Sequence, residues 1–177
     1  MHAAIMRAVS APRKPLVERE QNTVTRDSAA STLARNLLRY CEDEHDWVLE
    51  TTMALARLES PTTDKTAVDR CGEELAQRMR AIGGAVTRLR QPDVGDHLRA
   101  EFGTGASQVL LIGHFDTVWP LGQIERMPLE IKDGCLFGPG VFDMKGGIAI
   151  GMLAVRALTE AALLPDRLVM LWTTDEE

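Results

Sequence analysis

Apolar residues recur along this chain in two distinct rhythms. Between Lys65 and Gly84 the rhythm is helical. Val68, Cys71, Leu75, Met79 and Ile82 follow one another at steps of 3, 4, 4 and 3, which makes one apolar stripe on a helix. Thr63 or Asp64 can cap its start, and Gly83 and Gly84 can end it where a left-handed residue is needed. Pro61, in the stretch ESPTTDK, stops a preceding helix predicted over 32–58, with Leu37, Cys41, Val48 and Leu55 near one face. A third helix is predicted from about Met144. Ile148, Met152 and Val155 mark its buried side, and Gly147 and Gly151 allow close packing.

The second rhythm belongs to strands. Short ones are predicted over 85–89 and 97–102. Val109–Ile112 and Leu168–Trp172 are wholly apolar runs. The first reads as a central strand covered on both faces. In EIKDGCLF, Asp133-Gly134 is a two-residue turn signal, so a hairpin is expected there. Strands alternating with helices point to a layered α/β domain. Pro12, Pro15 and scattered polar residues mark 1–30 as a flexible tail, leaving 31–177 as the folded part.

Composition narrows the function. Of 177 residues, 45% are hydrophobic and 26% charged, as in soluble globular proteins. No apolar run approaches the roughly 18 residues of a membrane helix. The net charge of −6 argues against a nucleic-acid partner. It is uneven, about +4 over residues 1–40 and −10 over the rest, and an acidic body suits a cation. Three cysteines without a C-x-x-C pair, and a first segment lacking an apolar signal core, suggest a reducing compartment, the cytoplasm.

Candidate chemistry gathers in three places. In GHFDTVWPLG, His114 and Asp116 lie two apart, so on an extended chain they point to one side. Asp116 can then hold the tautomer of a metal-binding His114; the alternative is a histidine bonded within a loop. In GPGVFDMKGG, glycines around Asp143 allow a carboxylate to enter a tight site; the alternative is a glycine-rich turn with a capping aspartate. Lys145 reads as a solvated charge without a role. Neither the dinucleotide nor the phosphate-loop pattern is complete here. In TTDEE, Asp175, Glu176 and Glu177 follow an apolar strand, where α/β sheets bind ligands; the alternative is a solvated acidic loop. Glu176 and Glu177 can divide two jobs, coordination and proton transfer. One imidazole with several carboxylates suits zinc, with manganese or cobalt also fitting. Asp143 is a candidate bridge between two ions.

These three motifs, in this order, resemble the co-catalytic zinc peptidases and amidohydrolases of the glutamate carboxypeptidase group, with acetylornithine deacetylase and succinyl-diaminopimelate desuccinylase. The separations fit: 29 residues from His114 to Asp143 and 34 from Asp143 to Glu177. The resemblance covers about residues 35–177. It implies a layered α/β/α zinc-peptidase catalytic domain with a central mixed sheet, truncated at its C-terminal side. It implies two zinc ions, with His114 and Glu177 as ligands of one each, Asp143 between them, Asp116 supporting His114, and Glu176 as general base. The substrate class is a small peptide or acyl amino acid, with C-terminal glutamate the first candidate. A further carboxylate, a second histidine and a lid and dimerisation domain are expected downstream, with a homodimer in the full-length form. Without them the 1–177 chain is expected to be inactive alone, and Leu168–Trp172 to be left as an apolar edge. The competing reading is a non-catalytic scaffold that keeps the fold; nucleotide binding at the glycine-rich loop is a weaker third.

Overall fold

The computed structural model describes residues 6–7 and 26–177, with side-chain surroundings from residue 30 onward. The expected tail, 1–30, thus falls mostly outside the described residues. Within it, β1 (Met6–Arg7) pairs with Cys135 and Leu136, and the first helix already begins at Arg26.

The helix expected over 32–58 is two helices, α1 (Arg26–Asp43) and α2 (His45–Arg57). The break is at Glu44, whose carboxylate accepts from Arg156 at 2.7 Å. The same guanidinium lies 4.5 Å from the centre of a Trp47 ring. Both helices pack on α5 (Gly146–Glu160). The next helix, α3 (Lys65–Ala81), starts where expected: the Asp64 carboxylate accepts the Ala67 N–H at 2.9 Å. Gly83, just past its end, has φ of +92°.

Four strands form a mixed sheet in the order β2 (Ala85–Leu89), β3 (His97–Gly103), β7 (Arg167–Thr173), β4 (Gln108–His114). β3 is antiparallel to β2 and β7, whereas β4 runs parallel to β7. A second, three-stranded sheet contains β1 and the hairpin of β5 (Glu130–Lys132) and β6 (Cys135–Phe137). Its turn has positive φ at both Asp133 and Gly134, 51° and 73°, the geometry that matches strand twist. A short helix, α4 (Gln123–Arg126), precedes the hairpin.

One face of the larger sheet makes the main core. Leu98, Ala100 and Phe102 of β3 and Leu168, Met170 and Trp172 of β7 pack with Val68, Cys71, Leu75 and Met79 of α3 and Ile148, Met152 and Val155 of α5. Gly151 brings α5 down onto β4: an added Cβ would lie 2.8 Å from Leu111 Cδ2.

Two strand expectations are corrected. Val109–Ile112 is not a central strand covered on both faces. Among the described residues β4 is a sheet edge, with Leu110 and Ile112 51% and 60% exposed. Conversely, Leu168–Trp172 is not an edge, because β3 and β4 flank β7 on either side. Both runs are equally apolar. Only pairing between distant segments separates centre from edge.

No helix among the described residues is long and apolar enough to cross a membrane.

Candidate metal centre

Strand register builds the site. Gln108 to His114 pair in parallel with Arg167 to Thr173, so His114 stands opposite Thr173. The extensions of both strands therefore leave the sheet at the same level, where α/β sheets place ligands. Beyond β4 the chain stays extended enough for side chains to alternate. Phe115 turns into the core against Gly72, where an added Cβ would meet the ring at 3.2 Å. His114 and Asp116 turn the other way and face each other, Nδ1 to Oδ1, at 3.4 Å. Both are almost fully buried, and neither of these two atoms has another hydrogen-bond partner.

The ESPTTDK stretch holds this segment. Ser60 Oγ donates to the Phe115 carbonyl at 2.6 Å, and the Thr117 N–H donates to the Ser60 carbonyl at 2.8 Å. Thr62 Oγ1 donates to Asp116 Oδ2 at 2.8 Å. The N–H groups of Glu176 and Glu177 point at that same oxygen, at 3.2 and 3.4 Å. Asp116 thus ties together three segments far apart in sequence. The part played by Thr62 was not legible beforehand, since spacing says nothing about a partner 54 residues away.

Asp143 arrives on a one-turn segment, Val141–Lys145, with non-helical dihedrals at Asp143 and Met144. The peptide bond between those two residues is cis. Gly140, at φ +69°, permits the approach: an added Cβ would lie 2.7 Å from Thr117 Cγ2. Asp143 Oδ1 is 3.2 Å from His114 Nε2, and Glu176 Oε2 is 3.6 Å from the same nitrogen. Ligand atoms of His114, Asp143 and Glu177 all lie within 4.8 Å of one another. The TTDEE acids separate, because Asp175 turns away toward His97 Nε2, 4.0 Å off.

Lys145 is not a solvated charge. It is 1% exposed, and its ammonium donates to the Leu55 carbonyl at 3.1 Å, in the last turn of α2. That end of a helix attracts cations. Burial pushes its pKa down against the upward pull of Cys71, Glu59 and Asp116. Its position two residues after an exposed aspartate concealed this, because in a sharp turn neighbouring side chains point to opposite sides.

The electrostatics suit a cation. Asp116 is the main cause that lifts His114 to about 9, with Glu176 and Asp143 adding to it and burial opposing. Burial pushes Asp116 upward, but His114, Thr62 and the Glu177 N–H outweigh it and hold the carboxyl below its usual range. Burial and the neighbouring Asp143 raise Glu177. An imidazole braced from behind by a carboxylate, with exposed carboxylates in front, is a donor set for zinc, cobalt or manganese. Among the described residues His114, Asp143 and Glu177 are the one cluster of this kind.

Residues 110–177 match the profile of Peptidase family M20/M25/M40. Carboxypeptidase G2 of Pseudomonas sp. (strain RS-16) is 30% identical over 145 residues, covering 80% of this chain and 35% of that protein. Succinyl-diaminopimelate desuccinylase of Stenotrophomonas maltophilia (strain K279a) is 36% identical over 136 residues, covering 73% and 35%. The chain thus spans about a third of the length of these relatives. Its fold matches human carnosine dipeptidase 1 with a TM-score of 0.70, at 20% identity over 81% of this chain and 35% of that one. It matches the M20 family metallo-carboxypeptidase of Sulfolobus solfataricus at 0.60, with 21% identity over 73% and 31%. The mixed α/β catalytic-domain fold implied by the motifs is therefore present, in part, in this chain. Through residues 110–177, the chain is similar to peptidase family M20/M25/M40.

Proposed function

We propose that residues 31–177 form the metal-holding part of a catalytic domain that hydrolyses amide or peptide bonds. The observation that supports this most is the convergence of His114, Asp143 and Glu177 within 4.8 Å, in front of a buried His114–Asp116 pair. In this reading those three residues are the metal ligands, and Asp143 is shared between two ions. The ions are zinc, with cobalt or manganese as substitutes. Bound there, they would polarise the scissile carbonyl and acidify the attacking water.

The chain's own groups have separate tasks. Asp116 keeps the imidazole in the tautomer that leaves Nε2 free to ligate. Glu176, more than half exposed and reaching the same side of His114, takes the proton of the attacking water and returns it to the leaving amine. The relatives are named as a carboxypeptidase, a desuccinylase and a dipeptidase. These names support a small peptide or acyl amino acid as substrate, with C-terminal glutamate the first to try. The proposed setting is the cytoplasm, in keeping with three unpaired cysteines, and the proposed assembly of the whole protein is a homodimer.

The test is hydrolysis of acyl amino acids and C-terminal glutamyl dipeptides by the whole protein, before and after chelation. Activity should disappear on chelation and return with zinc. Glu176→Ala should lower kcat by about 10²–10⁴-fold while zinc still binds. Full activity in the chelated protein would end this reading. A protein that binds zinc but cleaves no amide would favour the non-catalytic scaffold.

A further inference from the structure

We infer that His97 is a positioning residue for the loop that carries Glu176 and Glu177, acting through the hydroxyl of Thr174. The inference rests on the proposed metal centre for its functional meaning, but its structural content stands on contacts of its own.

After Thr173 the chain leaves the sheet, and the following residues are held from two sides. On one side, Asp116 receives the N–H groups of Glu176 and Glu177. On the other, Thr174 is fully buried. Its hydroxyl donates to the Gly95 carbonyl and also lies 3.0 Å from His97 Nδ1. A hydroxyl has one proton. With that proton directed at Gly95, the oxygen can only accept from His97, so Nδ1 must carry a hydrogen. The contact therefore sets both the tautomer of His97 and the orientation of the Thr174 hydroxyl. It also leaves Nε2 facing Asp175 Oδ1, at 4.0 Å.

The support from which His97 acts is itself braced. The Asp96 carboxylate accepts from Lys65 Nζ at 2.9 Å and from the Gln91 N–H at 3.2 Å, and the Asp96 N–H donates to Asp69 at 2.8 Å. The approach of Gly95 depends on its lack of a side chain. An added Cβ would lie 2.2 Å from Val68 Cγ1 and 3.2 Å from Thr174 Cβ. The start of β3 is thus clamped to α3, and it presents a carbonyl and an imidazole to the loop. His97 touches no proposed metal ligand. Its effect on Glu176 and Glu177 passes through the backbone of Thr174 and Asp175.

Amide hydrogen exchange in the metal-free chain, read by NMR, tests this directly. In His97→Leu the Glu176 and Glu177 amides should lose roughly tenfold in protection, about the worth of one hydrogen bond, while the Met170 amide in β7 stays protected. His97→Asn, whose amide nitrogen can reach the place of Nδ1, should restore most of it; His97→Gln, which extends past that place, should not. Nitrogen shifts of wild-type His97 should show a protonated Nδ1. Unchanged protection in His97→Leu, or a proton found on Nε2 alone, overturns the inference. Zinc titration of the same proteins separates it from the proposed function. Failure of the wild type to bind zinc counts against the metal centre, and His97 is then judged on exchange. Zinc binding that is equal in wild type and His97→Leu, with exchange unchanged, removes His97 and leaves the metal centre standing.

Discussion

His114 is the last rung of the parallel ladder between β4 and β7, and its partner is Thr173. This pairing places the imidazole and the start of the TTDEE loop side by side, although 59 positions separate the two residues in sequence. A slip of one residue would turn His114 to the other face and carry Phe115 out of the core. The candidate centre therefore depends on sheet register before it depends on any ligand.

The first consequence concerns pH. His114 in the metal-free fold is raised to about 9, chiefly by Asp116, whereas in an unfolded chain it titrates near 6.5. A folded-state value above the unfolded one means that the protonated imidazole stabilises the fold. That contribution is complete below about pH 6.5 and is lost as pH rises through about 9. The metal-free chain should melt at a lower temperature at pH 9.5 than at pH 6.5, and Asp116→Asn should remove most of the difference. Zinc must displace this proton, so apparent zinc affinity should rise about tenfold per pH unit across the same window. Calorimetry in buffers of different ionisation enthalpy would read about one proton released. An NMR titration placing metal-free His114 near 6.5 would contradict both.

Phe115 tests the register argument. Its ring is fully buried against Gly72 and belongs to the main core. Phe115→Ala should cost about 3–5 kcal/mol in urea unfolding, and it should weaken zinc binding as well, because His114 and Asp116 flank it. A loss below about 1 kcal/mol would mean that the ring does not anchor the segment.

Lys145 distinguishes a buried charge from a buried volume. Its ammonium donates to a carbonyl, not to a carboxylate, and that carbonyl also accepts the Leu58 N–H at 3.2 Å. Lys145→Met keeps the length and leaves no carbonyl unpaired, so stability should change by less than about 1.5 kcal/mol. Lys145→Ala opens a cavity behind the Val141–Lys145 turn and should cost about 2–4 kcal/mol. Equal losses in the two variants would show that the charge, and not the volume, carries the contribution.

The uncovered edge of β4 predicts self-association. Leu110 and Ile112 are more than half exposed on a strand with one side unpaired among the described residues, an arrangement that invites pairing with another chain. Ile112→Lys should lower light scattering at high protein concentration without lowering the melting temperature by more than a few degrees. Scattering that is unaltered would place the sticky surface elsewhere.

Much of this molecule could be read from its sequence. The stripe of α3 and its Asp64 cap, the Asp133-Gly134 hairpin and the buried side of α5 all follow from contacts within a few residues. The alternation of His114, Phe115 and Asp116 does too. For the same reason the three candidate motifs were visible as motifs, each being a short stretch with its own chemistry.

What only the tertiary structure decided is where segments distant in sequence meet. It divided the first long helical pattern at Glu44, which meets Arg156, and among the described residues it made β4 an edge and β7 a centre although both are apolar runs. It buried Lys145, recruited Thr62 to Asp116 and set His97 against Thr174. Local periodicity records which side of an element is apolar. The partner of that side is selected by long-range pairing and packing, whose energies depend on residues many tens of positions away.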